Sequence, residues 1–125
     1  MWDTLVKRMI DHPILPRKDM IILVKLVAEE NRINPKTETE AKEKLFNHLL
    51  QRVAQIANHF YMKRVHFFGK FCDFDDLFDE GSMALWKTIN KIGLDGGYDL
   101  DGEPFILYAS KFICLKIKSY LARKN

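Results

Sequence analysis

Apolar residues recur along most of the chain at steps of three and four positions, the spacing of a helix that buries one face. The longest such stretch covers residues 34–65 and has apolar residues at Leu45, Leu49, Val53, Ile56 and Phe60. Thr37 followed by Glu40 forms a capping-box pattern near its start. Strand signals such as Asn-Gly turns and runs of alternating β-branched residues are nearly absent. The pattern therefore predicts helices rather than a sheet.

Three further helices are predicted by the same spacing, over residues 17–32, 75–92 and 103–125. A loop rich in glycine and aspartate separates the last two and covers residues 93–104. Pro104 suits the first turn of the final helix, since proline has no N–H to lose there. We predict an all-α fold with about four main helices in one compact domain, 1–125, with N-terminal helices over 1–34 and a core over 37–125.

A chain of 125 residues with 47% hydrophobic residues has the size and apolar content of one folded domain. Cys72 and Cys114 are too few for a disulfide framework, and no Cys/His spacing suggests zinc. The start of the chain lacks the pattern of a signal peptide, and no apolar run reaches the length of a membrane span. We expect a cytoplasmic protein without a membrane partner.

The net charge of +3 is small, but the charges are unevenly distributed. From Asp73 to Glu103 there are nine acids and two lysines, whereas Phe105 to Asn125 has five bases and no acid. Such an asymmetry favours two surfaces with different partners, and the basic end suits a polyanion. The alternative is that the lysines are simply solvated.

The helix predicted over residues 75–92 separates into two faces. Its core face consists of Leu77, Phe78, Gly81, Ala84, Leu85, Thr88 and Ile89. Glycine inside a helix costs about 1 kcal/mol relative to alanine, and the close approach of a neighbouring helix would explain it. Acids lie beside Met83 and Trp86 on the opposite face. Methionine and aromatic residues ringed by charge are typical of protein interfaces, although Trp86 could instead cover the N-terminal helices.

The acidic stretches contain two candidate metal sites. Oxygen ligands for the metal of a small nuclease could come from Asp75, Asp76, Asp79 and Glu80. The loop over residues 93–104 resembles a calcium loop, but the pattern fails at two essential places, which Gly97 and Tyr108 occupy. We expect no metal, no cofactor and no enzymatic activity.

The last helix combines rings with lysines. Its apolar stripe consists of Phe105, Tyr108, Ala109, Phe112, Ile113, Ile117 and Tyr120, and a second face has Ser110, Lys111, Leu115 and Lys118, with Lys116 to one side. Lysines can bind phosphates, and rings can stack on unpaired bases, so this helix suits single-stranded or melted DNA. We expect Phe105 and Ile113 to be core residues. The alternative is that all the rings belong to the core.

The order of these motifs resembles region 2 of bacterial sigma factors of the housekeeping class, from about Leu45 to Arg123. The resemblance rests on the segment Asp76 to Gly81, on Gly97-Tyr98, and on the segment Phe105 to Ala109. The segment over residues 15–30 is more faintly similar to sigma region 1.2. The long loop and Pro104 resemble the divergent late sigma factors of T-even-type phages.

The resemblance implies two binding surfaces and a place in the cytoplasm of a bacterial host. In this family, the helix that corresponds to residues 75–92 docks on the clamp helices of the largest subunit of RNA polymerase. The resemblance therefore assigns polymerase binding to Asp76, Leu77, Asp79, Glu80, Ser82, Met83 and Trp86. The following segments bind and melt the minus-ten promoter element and hold the non-template strand, which points to Tyr98, Tyr108, Lys111, Phe112, Leu115, Lys116, Lys118 and Arg123. A decoy that occupies the clamp helices without opening promoters is an alternative.

The chain also departs from the family pattern. Lys111-Phe112 stands where an aromatic pair is usual, so one ring of the wedge is lost, and Leu115 replaces a polar base-reading residue. Regions 3 and 4 have no counterpart before the sequence ends at Asn125. We expect either a piece of a longer sigma factor or a minimal factor that leaves upstream contacts to a coactivator.

Overall fold

The fold is all-α, as predicted. The computed structural model describes residues 2–68, 72–100 and 102–123, and in these ranges it contains five helices and no strand. The helices are α1 (Trp2–Asp11), α2 (Arg17–Ile33), α3 (Glu40–Phe68), α4 (Phe74–Ile89) and α5 (Phe105–Arg123). The four main predicted helices correspond to α2–α5. No described helix combines the length and apolar character needed to cross a membrane.

Helices α3, α4 and α5 pack against one another around the main core, and α1 and α2 lie against α3. The core face predicted for α4 is confirmed, because all seven of its residues are buried. Phe105 and Ile113 of α5 are also buried, as predicted. The residues least exposed to water come from all three central helices: Leu45, Val53, Leu77, Leu85, Ile89 and Ile117.

Gly81 lies where three helices meet. A Cβ atom at this position would be 2.9 Å from Cγ1 of Val53 on α3 and 3.1 Å from Cγ2 of Ile113 on α5. Real Cβ atoms essentially never show the shorter of these distances, and the longer one is tighter than nine in ten real Cβ contacts. The close approach that the sequence suggested is therefore confirmed, and it involves two neighbouring helices.

Gly81→Ala is expected to lower the free energy of unfolding by up to about 2 kcal/mol, measured by chemical denaturation. Alanine gains about 1 kcal/mol in helix propensity, but overpacking a core typically costs about 1–3 kcal/mol, and Val53 is branched and cannot move away easily. Most of the loss should disappear when Val53→Ala removes the methyl group at 2.9 Å. If Gly81→Ala lowered the free energy of unfolding equally in the wild-type and Val53→Ala proteins, this explanation would be contradicted.

The connection between α2 and α3 differs from the prediction. Thr39, not Thr37, caps α3: its hydroxyl accepts a hydrogen bond from the Lys42 backbone N–H at 3.2 Å and donates one to the Glu30 carboxylate at 2.7 Å. The side chain of Lys42 is fully buried, and its ammonium donates to the carbonyls of Pro35 (2.9 Å) and Thr37 (2.8 Å). Burial lowers the pKa of Lys42, and the charge of Glu30 partly opposes this shift. The lysine thus holds the turn between the two helices.

The end of α4 and the loop before α5 are held by groups that the sequence did not reveal. Asn31 of α2 is buried, and its amide donates to the carbonyls of Ile89 and Ile92, both at 3.0 Å. The loop closes through a hydrogen bond from the Gly93 N–H to the Tyr98 carbonyl at 3.2 Å. A Cβ on Gly97 would lie 2.0 Å from the backbone oxygen of Lys91, so only glycine fits there. These contacts fix the position of α5 relative to α4.

Candidate protein-binding and nucleic-acid-binding surfaces

The acidic surface of α4 consists of Asp75, Asp76, Asp79, Met83 and Trp86. The carboxylates of Asp75 and Asp79 are exposed, and that of Asp76 is half-buried. Met83 is 50% exposed on a helix that also packs against two others. An apolar residue beside acids on the outward face has the composition of a surface that binds a basic or amphipathic partner.

Trp86 contributes to this surface and also to the fold. Its ring is half-buried and meets Phe46 of α3 edge to face, with 5.7 Å between the ring centroids. The guanidinium of Arg8 on α1 lies 5.9 Å from the centre of the Phe46 ring. Trp86 therefore packs on α3 and, through Phe46, is connected to α1. The edge left uncovered can still contact a partner.

Three other residues predicted to bind polymerase are buried or half-buried. Leu77 is 0% exposed, so assigning it to the partner surface was wrong: the same helical face that fills the core holds it. The hydroxyl of Ser82 is buried and has no hydrogen-bond partner among the described residues, although the residue as a whole is half-buried. Glu80 is half-buried and pairs with Lys116 of α5 at 3.6 Å. Glu80 therefore joins α4 to α5.

The carboxylates of α4 repel one another. Partial burial raises the pKa of the Asp79 carboxyl above its usual value, and the neighbouring charges of Asp75, Asp76 and Glu80 raise it further. A carboxyl group whose pKa is higher in the folded than in the unfolded state favours folding only while it is protonated. As the pH rises through its folded pKa, that contribution is lost, so the charge on Asp79 opposes folding at neutral pH.

Asp79→Asn is expected to raise the thermal midpoint at pH 7 and to leave it nearly unchanged below about pH 3.8, where the carboxyl is protonated in both states. The measurement is thermal unfolding followed by circular dichroism across this pH range. Asp95→Asn removes one exposed carboxylate outside the acidic surface and controls for net charge. A pH-independent gain for Asp79→Asn would show that repulsion is not its cause.

The acids do not converge as a metal centre needs. Across the described ranges, no group of three or more His, Cys, Asp and Glu side chains is placed to hold a metal ion. The carboxylates of α4 instead follow one another along the start and outer side of the helix, where the helix dipole favours negative charge. Cys72 and Cys114 are both half-buried and are not joined in a disulfide.

A series of aromatic rings leads from the core to the surface of α5. Tyr98 is 6% exposed and lies 5.1 Å from Tyr108, whose ring is 4.9 Å from that of Phe112. Tyr108 is half-buried, and Phe112 is 41% exposed. Tyr98 was predicted to contact DNA, but its ring is buried and its hydroxyl donates to the carbonyl of Glu103, so this assignment was wrong. Tyr98 instead supports the two rings that reach the surface.

The basic side chains of α5 follow one another from Lys111 to Arg123. Lys111 is exposed and pairs with Glu103 at 2.6 Å, while Lys116 pairs with Glu80. Lys118 and Arg123 are exposed further along the helix. Leu115 is 60% exposed, which makes it an apolar residue on a basic surface. The structure therefore places these predicted DNA-binding residues on accessible positions, with Lys116 only half-buried.

Ser110 belongs to the core, although the helical pattern placed it on the outer face with Lys111. It is 8% exposed, and its hydroxyl accepts a hydrogen bond from the Arg52 Nε–H at 3.0 Å and donates one to the Ile106 carbonyl at 2.6 Å. This pair joins α3 to α5. A small polar residue can occupy a buried helix face once a neighbouring helix supplies its partner.

Helices α4 and α5 enclose a cleft of about 330 Å³. From α5, the cleft is lined by Tyr108, Phe112, Leu115 and Lys116. From α4 and the turn after it come Lys87 and Lys91, which the sequence pattern did not assign to the nucleic-acid-binding surface. Their spacing of four residues would place them on one face of the helix predicted over residues 75–92, but α4 ends at Ile89, and only the packing of α4 on α5 brings both lysines beside the rings.

Comparison of the chain with protein-family models, with curated proteins and with solved structures gives no match. Inferences about its activity therefore rest on its own residues. The structure has two candidate binding surfaces: an acidic, partly apolar surface on α4, and a basic cleft with exposed rings between α4 and α5.

Proposed function

We propose that this protein is a sigma-like transcription initiation factor, which binds core RNA polymerase and melts an AT-rich minus-ten promoter element. The observation that supports this most is the division of charge over two packed helices. One surface offers carboxylates with Met83 and Trp86, and the other offers lysines with Phe112 and Leu115. Such a protein needs two partners at once, one protein and one nucleic acid, and the two surfaces have the corresponding chemistry.

The acidic surface of α4 would bind the clamp helices of the largest polymerase subunit. Met83 is half exposed and can fill a depression between the partner's side chains. The carboxylates of Asp76 and Asp79 would pair with basic residues around it, which gives orientation and rapid association. Leu77 would act only indirectly, by fixing the helix in the core.

The rings of α5 would capture bases that have left the duplex. Unstacking a base costs a few kcal/mol, and stacking on an aromatic side chain returns about 1–3 kcal/mol per base. Phe112 is exposed and supported from behind by Tyr108, so it offers a firm stacking surface. Lys118 and Arg123 would hold phosphates of the same strand. Melting then follows from contacts that only separated strands can make.

Leu115 limits how the promoter could be read. Its side chain is exposed but apolar, so it cannot form a hydrogen bond with a base edge. It can contact the methyl group of thymine, which is an apolar feature of the major groove. A preference for thymine near this residue would fit an AT-rich element. AT-rich DNA also melts most easily.

The test combines a pull-down with core RNA polymerase and permanganate footprinting on a library of AT-rich promoters. Binding together with reactive thymines at one position supports an initiation factor. Binding with no reactive thymine on any promoter rejects promoter opening and favours a decoy that occupies the clamp helices. Absence of binding rejects both. Plasmid incubation with magnesium or manganese checks for cleavage, which would reject a purely binding role.

Phe112→Ala is expected to leave polymerase binding unchanged and to reduce promoter opening at least about fivefold, the smallest effect of one lost stacking contact. Permanganate reactivity of the complex measures the opening. Leu107→Ala is a matched control, because Leu107 is 48% exposed on the same helix but does not line the cleft. Unchanged opening in Phe112→Ala would remove this ring from the proposed role.

A further inference from the structure

The end of α4 has a charge opposite to that of its start. Asp75 and Asp76 are in the first turn, whereas Lys87 is in the last turn and Lys91 follows in the next. Both lysines are exposed, and within the described ranges neither is in an ion pair. At about 1.5 Å per residue, the acidic and basic ends of this helix are on the order of 20 Å apart. One helix can therefore contribute to two surfaces.

The lining of the cleft between α4 and α5 indicates what these lysines can bind. Its walls contain three lysines and no carboxylate side chain: Lys87 and Lys91 stand on one side and Lys116 on the other. Lys116 is already paired with Glu80, so Lys87 at the end of α4 and Lys91 in the turn after it supply the uncompensated charge. Phe112 and Leu115, both exposed, belong to the same α5 side as Lys116. This is a cationic cleft with an apolar, partly aromatic side.

We infer that Lys87 and Lys91 bind the sugar–phosphate backbone of a single DNA strand whose bases lie on the rings of α5, an inference that rests on the proposed function. In this arrangement α4 forms the second wall of the nucleic-acid site. Its acidic start faces the protein partner and its basic end faces the DNA. A strand is favoured over a small anion because the cleft places stacking surfaces next to the cations.

If Lys87 and Lys91 are only solvated, the salt dependence of DNA binding should differ from that of a phosphate-binding site. Lysines that only keep a helix in water release no counterions when a strand binds. A lysine that neutralises a phosphate of a single strand changes the slope of log K against log salt concentration by about 0.7. Two such lysines should therefore contribute about 1.4 to the slope. The salt dependence distinguishes a phosphate contact from a general effect on the fold.

The experiment measures fluorescence anisotropy of a labelled single strand with the full chain between about 50 and 200 mM salt. Two probes are used: a thymine-rich strand and an abasic strand of equal length. The double variant Lys87→Ala/Lys91→Ala is compared with Lys36→Ala/Lys44→Ala, which removes two exposed lysines that do not line the cleft. Phe112→Ala reports separately on stacking. Circular dichroism checks that each variant is folded.

The expected result has two parts. Lys87→Ala/Lys91→Ala should reduce the salt slope by about 1.4 on both probes, while the control pair leaves it near the wild-type value. Phe112→Ala should weaken binding about 5- to 150-fold on the thymine-rich strand and hardly at all on the abasic one.

If the wild type binds but the cleft variant matches the control pair, the role of Lys87 and Lys91 is rejected and the proposed function stands. A wild-type protein that binds neither strand rejects the DNA-binding part of the proposed function, and with it this inference.

Discussion

Asn31→Asp is expected to lower the free energy of unfolding by about 3–5 kcal/mol at neutral pH, the range for an uncompensated buried charge. Asn31 is 1% exposed, and its amide donates to the carbonyls of Ile89 and Ile92 at 3.0 Å each. A carboxylate there would face two carbonyl oxygens and could donate to neither. The free energy of unfolding of a small domain is only about 5–15 kcal/mol, so the variant should lose a large fraction of its stability.

Chemical denaturation, or the loss of helical signal at neutral pH, measures this effect. Asn34→Asp makes the same chemical change three residues later at an exposed site, where the side-chain oxygen accepts a hydrogen bond from the Lys36 N–H at 3.0 Å. Aspartate keeps that acceptor, so this control should remain close to the wild type. Equal stability of the two variants would show that Asn31 is not essential to the end of α4.

The second large effect concerns the acidic surface of α4. Asp76→Lys combined with Asp79→Lys is expected to weaken binding to core RNA polymerase by at least about 100-fold, because like charges at an interface cost several kcal/mol. Asp79 is exposed, so its reversal leaves the core intact. Asp76 is half-buried in the first turn of α4, where a positive charge also costs about 0.3–1 kcal/mol through the helix dipole.

Pull-down and titration with labelled core polymerase measure the loss, and thermal unfolding shows whether the fold is retained. Glu29→Lys with Asp95→Lys is the matched control, since it reverses two exposed acids outside the acidic surface and gives the same net charge. If both double variants bind equally, net charge rather than the surface governs association. If the first variant loses its helicity, the acids are structural.

The acids of α4 illustrate a conflict between stability and binding. Partial burial raises the pKa of Asp79 and the neighbouring carboxylates raise it further, so its charge opposes folding at neutral pH. Such clusters are expected where a partner supplies the compensating charge. Asp79→Asn should therefore stabilise the free protein and weaken its complex, a combination that a purely structural acid would not show.

The hydrophobic pattern predicted the buried residues correctly wherever one face of a helix packs into the core. All seven residues predicted for the core face of α4 are buried, because the period of 3.6 residues fixes which side chains share a side. The same pattern correctly predicted that Met83 is exposed. It failed for Ser110, which the helical pattern placed on the outer face, because Arg52 of α3 satisfies its hydroxyl in the interior.

Local sequence therefore determined the helices, the core face of α4 and the separation of acidic from basic segments, since these depend on residues close together in the chain. Only the tertiary structure buried Tyr98 and Lys42, gave Asn31 its two carbonyl partners and brought Lys87 beside Phe112. Each of these depends on contacts between separate helices or between a helix and a loop, and no periodicity along one helix reports what a neighbouring helix or loop will supply.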